Sequence, residues 1–357
     1  MYSVTNSRGF VNQKEQFEDR EMKGEDIAAY KIIEHGDFAY NPARINVGSI
    51  ARYDGENQCM ISSLYVCFKA NQQLVDSKLL LHVLKTPKMV YYYGINGEGG
   101  VRIYLFYPNF SRIRLSLPEL NEQQKLSRFL DLIDERISIQ NKVIEDLKKL
   151  KSAINDKLHE KYGHGIKVSF SEIGESYSGL SGKNSSDFGS GYHYIPYTNI
   201  FNNDTIDEND MGAVQIKAGE KQHMVSYGDA LFTLSSETPD EVGMGSVYLG
   251  HEPNLYLNSF SFGIHITRKD IIYSPYISCL VSSTYFRKFV FPFAQGSTRF
   301  NLQKQDFERE PFFVPYYDRQ IQIASFLGSI SRKIEYESSI LSGLTSQKSW
   351  LLLKLFI

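Results

Sequence analysis

The side chains that could do covalent, metal or acid–base chemistry are present in this chain, but their spacing organises none of it. Cys59, Cys67 and Cys279 are odd in number, lie far apart and make no CxxC or Cys/His ligand spacing, which argues against a disulfide framework and a structural zinc site. No GxxxxGK[ST] phosphate loop, GxGxxG turn, HExxH pair or GxSxG elbow occurs. Tyr40-Asn41-Pro42-Ala43 comes nearest, approaching the Asn-Pro-Pro-Tyr signature of adenine methyltransferases, but it lacks the second proline, the following aromatic and any preceding glycine-rich loop. A turn ending a strand accounts for it. Pro239-Asp240-Glu241 has no Glu-x-Lys after it on a strand and reads as a solvated acidic loop rather than a nuclease cluster. The expectation is a chain with no catalytic residues, no metal and no cofactor of its own.

The residues suited to binding are better organised. Asn41-Pro-Ala-Arg-Ile-Asn-Val-Gly-Ser and Gly296-Ser-Thr-Arg-Phe-Asn-Leu-Gln-Lys each set Arg, Asn and small or hydroxyl residues on a glycine-bearing loop. Those side chains contact guanine and adenine edges or bond phosphates. Arg44, Asn46, Ser49, Arg102, Thr198, Asn199, Arg299, Asn301 and Gln303 are the candidates for contact with double-stranded DNA. For Arg102 and Arg299, repeated in phase, a structural role at a junction between domain and helix is equally open. A net charge of −2 excludes a uniformly basic nucleic-acid binder, so such contacts must be local. Residues 265–309 hold seven Lys/Arg against three acids, inside a segment, 162–313, whose net charge is −6.

These loops sit in a duplicated chain. Residues from about Gly100 to Glu160 align with Ser297 to Ile357 at a constant offset of 197: Arg102 on Arg299, Phe110 on Phe307, Pro118 on Pro315, Gln123 on Gln320, Phe129-Leu130 on Phe326-Leu327 and Lys151 on Lys348. With small gaps the match continues upstream, Thr5-Asn6 with Thr198-Asn199, Gly36-Asp37 with Gly228-Asp229, Gly48-Ser49 with Gly245-Ser246 and Ser63 with Ser259.

The end of each repeat is a heptad helix. Leu126, Leu130, Ile133, Ile137, Gln140, Ile144, Leu147, Lys151, Ile154 and Leu158 step alternately by four and three, as do Ile323, Leu327, Ile330, Ile334, Glu337, Leu341, Leu344, Lys348, Leu351 and Leu355. The polar breaks, Gln140 with Glu337 and Lys151 with Lys348, fall at matching places. A lone run of this kind is a core helix or a homodimer zipper; two in-phase copies in one chain favour an internal, antiparallel pair. Each helix, begun at Pro118 or Pro315, is about 38 residues and about 57 Å long.

The remainder reads as mixed α/β. Strand-like stretches are 61–69, 102–107, 244–249 and 258–267; short helices fit Ser77 to Leu84 and Pro275 to Val281; 179–191 is a Ser/Gly-rich loop. The 42% apolar content suits a globular protein, and 24 Tyr and 23 Phe against one Trp favour β-rich domains. No N-terminal apolar region and no run near the roughly 20 residues that span a bilayer is present. With the cysteine usage, this points to a cytoplasmic location.

Leu117-Pro-Glu-Leu-Asn-Glu-Gln-Gln-Lys-Leu-Ser-Arg-Phe-Leu leading into a long helix, and its echo Val314-Pro-Tyr-Tyr-Asp-Arg-Gln-Ile-Gln-Ile-Ala-Ser-Phe-Leu, resemble the specificity subunit of type I restriction-modification enzymes over almost the whole chain. Tyr30-Lys-Ile-Ile-Glu-His-Gly-Asp-Phe-Ala-Tyr-Asn-Pro looks like the middle of that family's target-recognition domain, and Gly296-Ser-Thr-Arg-Phe-Asn-Leu like its end. The resemblance implies a mixed α/β fold with two target-recognition domains, 1–117 and 166–313, separated by two long antiparallel coiled-coil helices, 118–165 and 314–357. It implies a non-catalytic subunit. Each domain reads half of a bipartite DNA site, while the paired helices space the domains and dock two methyltransferase (M) subunits, the rod and partner interface including Leu126, Leu130, Ile133, Ile137, Ile144 and Leu147 with Ile323, Leu327, Ile330, Ile334, Leu341 and Leu344. Motor-nuclease restriction (R) subunits join these, and S-adenosylmethionine, ATP and Mg belong to the partners. A rod of about 57 Å corresponds to roughly 17 base pairs at 3.4 Å per step. Lys167 to Tyr194 has no counterpart in the first repeat, so the first domain is expected to lack roughly its opening 27 residues, as a shortened natural form or through an altered start. The competing class is a coiled-coil adaptor or scaffold with two ligand-binding domains and no role on DNA; an enzyme is the third.

Overall fold

The computed structural model describes residues 1–6, 8–13, 29–100 and 103–355. Contacts divide the chain into two compact units, Met1–Lys142 with Ser338–Ile357, and Val143–Glu337. The division falls inside the two long helices, so each unit takes a part of both.

The first unit opens with strands β1 (Tyr2–Thr5), β2 (Gly9–Asn12), β3 (Lys31–Ile33), β4 (Phe38–Tyr40), β5 (Ile50–Arg52), β6 (Cys59–Ile61) and β7 (Val66–Phe68). They form a sheet of order β2-β1-β6-β3, with β1 and β6 parallel, and a sheet of order β5-β4-β7. Helices α1 (Ser77–Leu84) and α2 (Pro87–Asn96) follow, each started by a side-chain oxygen accepting from an N–H in the first turn: Asp76 from Leu79, Thr86 from Met89. Their apolar faces bury Leu79, Val83, Leu84, Met89 and Tyr93 with Phe38, Tyr40 and Ile50. Then comes α3 (Leu120–Tyr162).

The second unit runs β8 (Ile166–Val168), β9 (Gly174–Ser178), β10 (Phe188–Ile195), α4 (Tyr197–Asn202), β11 (Gly212–Val214), β12 (Ala230–Thr233), β13 (Ser235–Ser236), β14 (Gly245–Val247), β15 (Tyr256–Leu257), β16 (Ser261–Ile266), α5 (Tyr276–Val281), α6 (Thr284–Val290), β17 (Ala294–Gly296), β18 (Phe300–Leu302), α7 (Lys304–Arg309), β19 (Phe312–Val314) and α8 (Tyr317–Leu355). Its core sheet has the order β14-β12-β16-β9. Phe170, Phe232, Phe262, Phe286, Phe307 and Phe312 meet in one fully enclosed cluster, each burial contributing about 1.5–3 kcal/mol.

The duplication holds in three dimensions at a set of matching hydrogen bonds. Gly36 at φ +89° and Gly228 at φ +90° occupy the left-handed region that admits glycine, and their N–H groups donate to Tyr53 and Tyr248 carbonyls at 2.8 and 2.7 Å. The next residues, Asp37 and Asp229, accept from the N–H groups of Glu34 and Ser226 at 3.0 and 2.9 Å. Parallel β1/β6 in the first unit matches parallel β10/β15 in the second. The Glu98–Tyr104 bridge matches the Gln295–Asn301 pair of β17/β18. Most telling is the glutamine at the head of each long helix. Gln123 accepts from Asp76 N–H (2.9 Å) and donates to Leu74 and Pro118 carbonyls (3.0 and 2.8 Å). Gln320 accepts from Tyr273 N–H (2.9 Å) and donates to Ile271 and Pro315 carbonyls (2.9 and 2.8 Å). All four positions differ by 197.

Two strand expectations and one loop expectation are corrected. The 61–69 stretch breaks into β6 and β7 around a turn at Ser62–Tyr65. The 102–107 stretch contributes only the bridge at Tyr104 before a helical turn, Tyr107–Phe110, the counterpart of α7. The 179–191 loop gives way to β10 at Phe188. Sequence also set Gly48 against Gly245, but the hydrogen bonds Asn41 N–H to Ser49 (3.1 Å) and Thr233 N–H to Met244 (2.9 Å) pair Gly48 with Gly243. The first unit has no counterpart of β9: among the described residues its β5-β4-β7 sheet stops one strand short of β14-β12-β16-β9.

Both long helices carry the heptad seam. Leu130, Ile144, Ile323 and Leu327 are buried; Leu126, Ile133, Ile137, Leu147, Ile330, Ile334, Leu341 and Leu344 are half-buried, with the intervening positions mostly exposed. In the first unit the front of α3 lies with the back of α8, where Lys348 pairs with Asp134 and Leu352 packs with Leu126 and Leu130 in one core. In the second, Ile154 and Leu158 of α3 pack with Ile323, Leu327 and Ile330 of α8. The pairing is therefore antiparallel. Of the polar breaks, Lys151 meets Asp204 at 2.6 Å and Glu337 meets Lys333 at 2.5 Å. The helices of 43 and 39 residues are longer than the expected 38. Off the seam, Asn155 donates to the Cys279 carbonyl (2.8 Å), Asp156 accepts from Thr284, and buried His159 bonds Tyr276, fixing α3 to α5 and α6. Cys59, Cys67 and Cys279 are free thiols. Among the described residues, no helix is long and apolar enough to cross a membrane.

Candidate nucleic-acid interface

The second unit gathers one functional corner from four elements. β13 pairs with β18, setting Ser235 opposite Asn301 and Ser236 opposite Phe300. The β17–β18 turn carries Thr298 and Arg299 above them. Helix α4 brings Tyr197 and Phe201, stacked with ring centroids 5.7 Å apart, and the turn between β15 and β16 brings Phe260. Together they line a cleft of about 730 Å³ with Glu237 and Glu241 at its acidic side.

Arg299 is the cation of this cleft. Its exposed guanidinium donates through Nε and Nη2 to Ser235 Oγ at 3.2 and 3.0 Å. One serine thus holds two nitrogens of an exposed guanidinium, the group that pairs in bidentate fashion with a guanine edge or a phosphate. Tyr197 donates to the Ser235 carbonyl at 2.8 Å, and burial raises its phenol above its ordinary range. Ser236 donates to Glu241 at 3.0 Å, leaving Glu237 exposed as a carboxylate able to accept from an exocyclic amine.

The sequence candidates separate on these grounds. Thr198, Arg299 and Asn301 are exposed in this unit, and Gln303 is half-buried beyond β18 with its N–H bonded to the Phe293 carbonyl at 2.8 Å. Asn199 is fully buried: it donates to Asp207 and Asp210 carbonyls at 2.8 and 2.7 Å and accepts from Asp207 N–H at 3.0 Å, so it holds its loop and presents nothing to a ligand. In the first unit Arg44 is exposed and Asn46 half-buried beside a 3-10 turn, Ile45–Val47. Ser49 is buried and donates to the Val4 carbonyl of β1 at 3.0 Å, a structural bond rather than a contact surface. Arg102 lies outside the described residues.

The Arg/Asn loops at 41–49 and 296–304 are neighbours in kind rather than copies of each other. The Leu105 N–H to Pro42 and Leu302 N–H to Leu234 bonds, 3.0 and 2.8 Å, set Pro42 against Leu234, so Arg44 takes the place of Ser236. The loop equivalent to 41–49 is the one that lies beside Arg299 in the second unit. Much of the basic stretch at 265–309 is structural: Arg268 pairs with Asp270 at 2.7 Å, and Arg287, its guanidinium pKa lowered by burial, donates to the carbonyls of Asp240, Val242 and Gly243. Tyr197, Phe201, Glu237 and Phe260 escaped the sequence reading because they are scattered along the chain and belong to no motif; the exposed aromatics were their only signal.

Two loop-bearing α/β units joined through a pair of long antiparallel helices are a fold shared with solved type I restriction-modification proteins. The system S subunit from M. genitalium superposes with a TM-score of 0.53 at 16% identity over 91% of this chain and 84% of that one. A chain from the structure reporting complex assembly and conformational transition of the type I R-M system gives 0.56 at 17%, over 91% and 83%. Residues 2–149 match the family model of the type I restriction modification DNA specificity domain. The MjaX type I restriction enzyme specificity subunit of Methanocaldococcus jannaschii is 29% identical over 161 residues, 43% of this chain and 37% of that relative, so the match spans little more than a third of its length. Residues 2–149 are therefore similar in sequence to that DNA specificity domain, and the chain shares its fold with solved type I restriction-modification proteins.

Proposed function

We propose that this chain is the DNA-reading specificity subunit of a type I restriction-modification complex, without catalysis of its own, and that each unit reads one half of a bipartite target. The reading rests on the duplicated scaffold that carries, at the equivalent turn of each unit, a different exposed side chain: Leu64 against Phe260. A repeated scaffold with divergent tips suits two half-sites of different sequence. The long helices space the readers and dock two methyltransferase subunits; restriction subunits complete the complex. S-adenosylmethionine, ATP and Mg are supplied in those partners, and the complex works in the cytoplasm.

The test is binding of double-stranded DNA by the chain assembled with its methyltransferase subunits, measured across salt concentrations, with sequencing of methylated adenines to define the motif. Binding that weakens linearly in log–log salt is expected. Arg299→Ala should cost about 1–3 kcal/mol and relax only one half of the motif, if the fork pairs with a base edge. No duplex binding at low salt would overturn the proposal and favour a scaffold with no DNA role. Wild-type affinity for Arg299→Ala at every salt concentration would return this arginine to a structural role.

A further inference from the structure

One feature of both units breaks a local rule in the same way. Between the strand that pairs in parallel and the strand that follows it, each unit makes a four-residue turn: Tyr65 N–H donates to Ser62 at 3.1 Å, and Ser261 N–H to Asn258 at 3.4 Å. The side chain at the first turn position accepts from the N–H of the third, Ser62 Oγ from Leu64 (3.4 Å) and Asn258 Oδ1 from Phe260 (2.9 Å). Third positions of exposed turns favour glycine and small polar residues. Here they hold a leucine that is 80% exposed and a phenylalanine that is 57% exposed.

Phe260 is also held from behind. Its carbonyl accepts from Leu234 N–H at 2.9 Å, and Asn258, buried beneath the turn, donates to the Ile195 carbonyl at 3.1 Å and to Ser261 at 3.0 Å. The backbone is therefore fixed while the ring stands at the cleft beside Arg299 and Tyr197. A rigid apolar tip next to an oriented guanidinium is the arrangement by which proteins press a side chain between base steps while a cation holds the strand or base edge alongside. Resting on the DNA-reading role above, we propose that Leu64 and Phe260 are equivalent apolar wedges, each entering the stack of duplex DNA at one base step of its own half-site. The wedge unstacks that step, and the deformability of the step becomes part of what the unit reads. The flat ring of Phe260 makes the larger contact; Leu64 makes a smaller one.

The experiment uses the chain with its methyltransferase subunits and a duplex containing the methylated motif, with 2-aminopurine placed in turn at each step of the two half-sites. Wild type should raise the fluorescence at one position per half-site. Phe260→Ala should abolish the rise in its half-site alone and weaken binding roughly tenfold, with Phe260→Leu restoring part of both; Leu64→Ala should do the same, more weakly, in the other half-site. Both residues are exposed, so an unchanged melting temperature checks that the variants fold. Wild-type binding with no fluorescence rise, or a Phe260→Ala protein with unchanged affinity and signal, overturns the wedge and leaves the DNA-reading role standing. A wild-type complex that binds no duplex overturns the DNA-reading role itself.

Discussion

Replacing Gln320 by alanine isolates the device that joins each globular part to its helix. The side chain is fully buried and makes three bonds: it accepts from Tyr273 N–H at 2.9 Å and donates to Ile271 and Pro315 carbonyls at 2.9 and 2.8 Å. Truncation strands one N–H and two carbonyls, each costing about 1–3 kcal/mol if nothing replaces the partner. The vacated space has the polar lining that admits a water with several partners, which recovers part of the loss. The expected cost is about 3–4 kcal/mol, a fall in melting temperature of roughly 6–16 °C for a unit of this size. Gln320→Glu sharpens the test. It keeps the acceptor but turns a second oxygen toward two carbonyls, so the folded state favours the protonated acid and its pKa rises above about 4.3. Stability of that variant is then fullest below the unfolded pKa and is lost as pH rises through the folded one. The assay is thermal unfolding combined with hydrogen exchange of the segments around 271–276 and 315–323. A loss below about 1 kcal/mol for Gln320→Ala, or a pH-independent Gln320→Glu, would refute the hydrogen-bonding account; Gln123→Ala should reproduce the effect at 74–79 and 118–126.

Inserting four residues after Gln140 shifts the downstream seam of α3 and lengthens it by about 6 Å. Lost assembly or a changed gap in the methylated motif is expected, and an unchanged motif with full activity would refute the helices as the ruler. His159 is buried, with its Nδ1–H donating to the Asn155 carbonyl at 3.0 Å and its Nε2 accepting from the Tyr276 hydroxyl at 2.8 Å, and burial lowers its pKa against the opposing Asn155 hydrogen bond and the charge of Asp156. The unfolded state therefore binds the extra proton, so stability is full above about pH 6.5 and falls as pH drops through the folded value; His159→Gln should flatten that dependence in equilibrium unfolding between about pH 7.5 and 5. The edge of β7, which has no β9 equivalent beside it among the described residues, should exchange amide hydrogens faster than β16; equal protection in the isolated chain would mean the edge is covered from elsewhere.

How far the sequence carried depended on whether the determining interactions were periodic. The seams were legible almost to their ends because burial alternates with the heptad, only Leu355 being exposed, and Gln123 and Gln320 were aligned from sequence although their bonding was not foreseen. Helices at Ser77–Leu84 and Tyr276–Val281 were visible through their apolar spacing, whereas Pro87–Asn96 and Thr284–Val290 were hidden in aromatic-rich text that reads equally as strand. The cleft was the least legible part. Arg299 was marked by its loop, but Ser235, which orients it, lies 64 positions away, and Phe260 and Tyr197 meet it only through the pairing of β13 with β18 and the packing of α4. Asn199 and Ser49 were misjudged for the converse reason. Polar residues on Gly- or Thr-bearing loops look like ligands in one dimension, and only burial reveals that their bonds are already spent on the backbone.

The two halves show where this fold tolerates change. The Gly-Asp turn and the helix-head glutamine recur because each satisfies backbone groups that would otherwise be left inside the fold without partners, so substitution there carries a desolvation cost wherever the scaffold is used. Leu64 and Phe260 stand on the solvent side of a turn that recurs in both units, where exchanging one side chain for another changes little folding energy. A fold built this way can change its exposed tips without being destabilised. Loops carried on a rigid, over-determined frame are free to diverge, and leucine in one unit against phenylalanine in the other, on a turn closed by the same hydrogen bonds, is such a divergence.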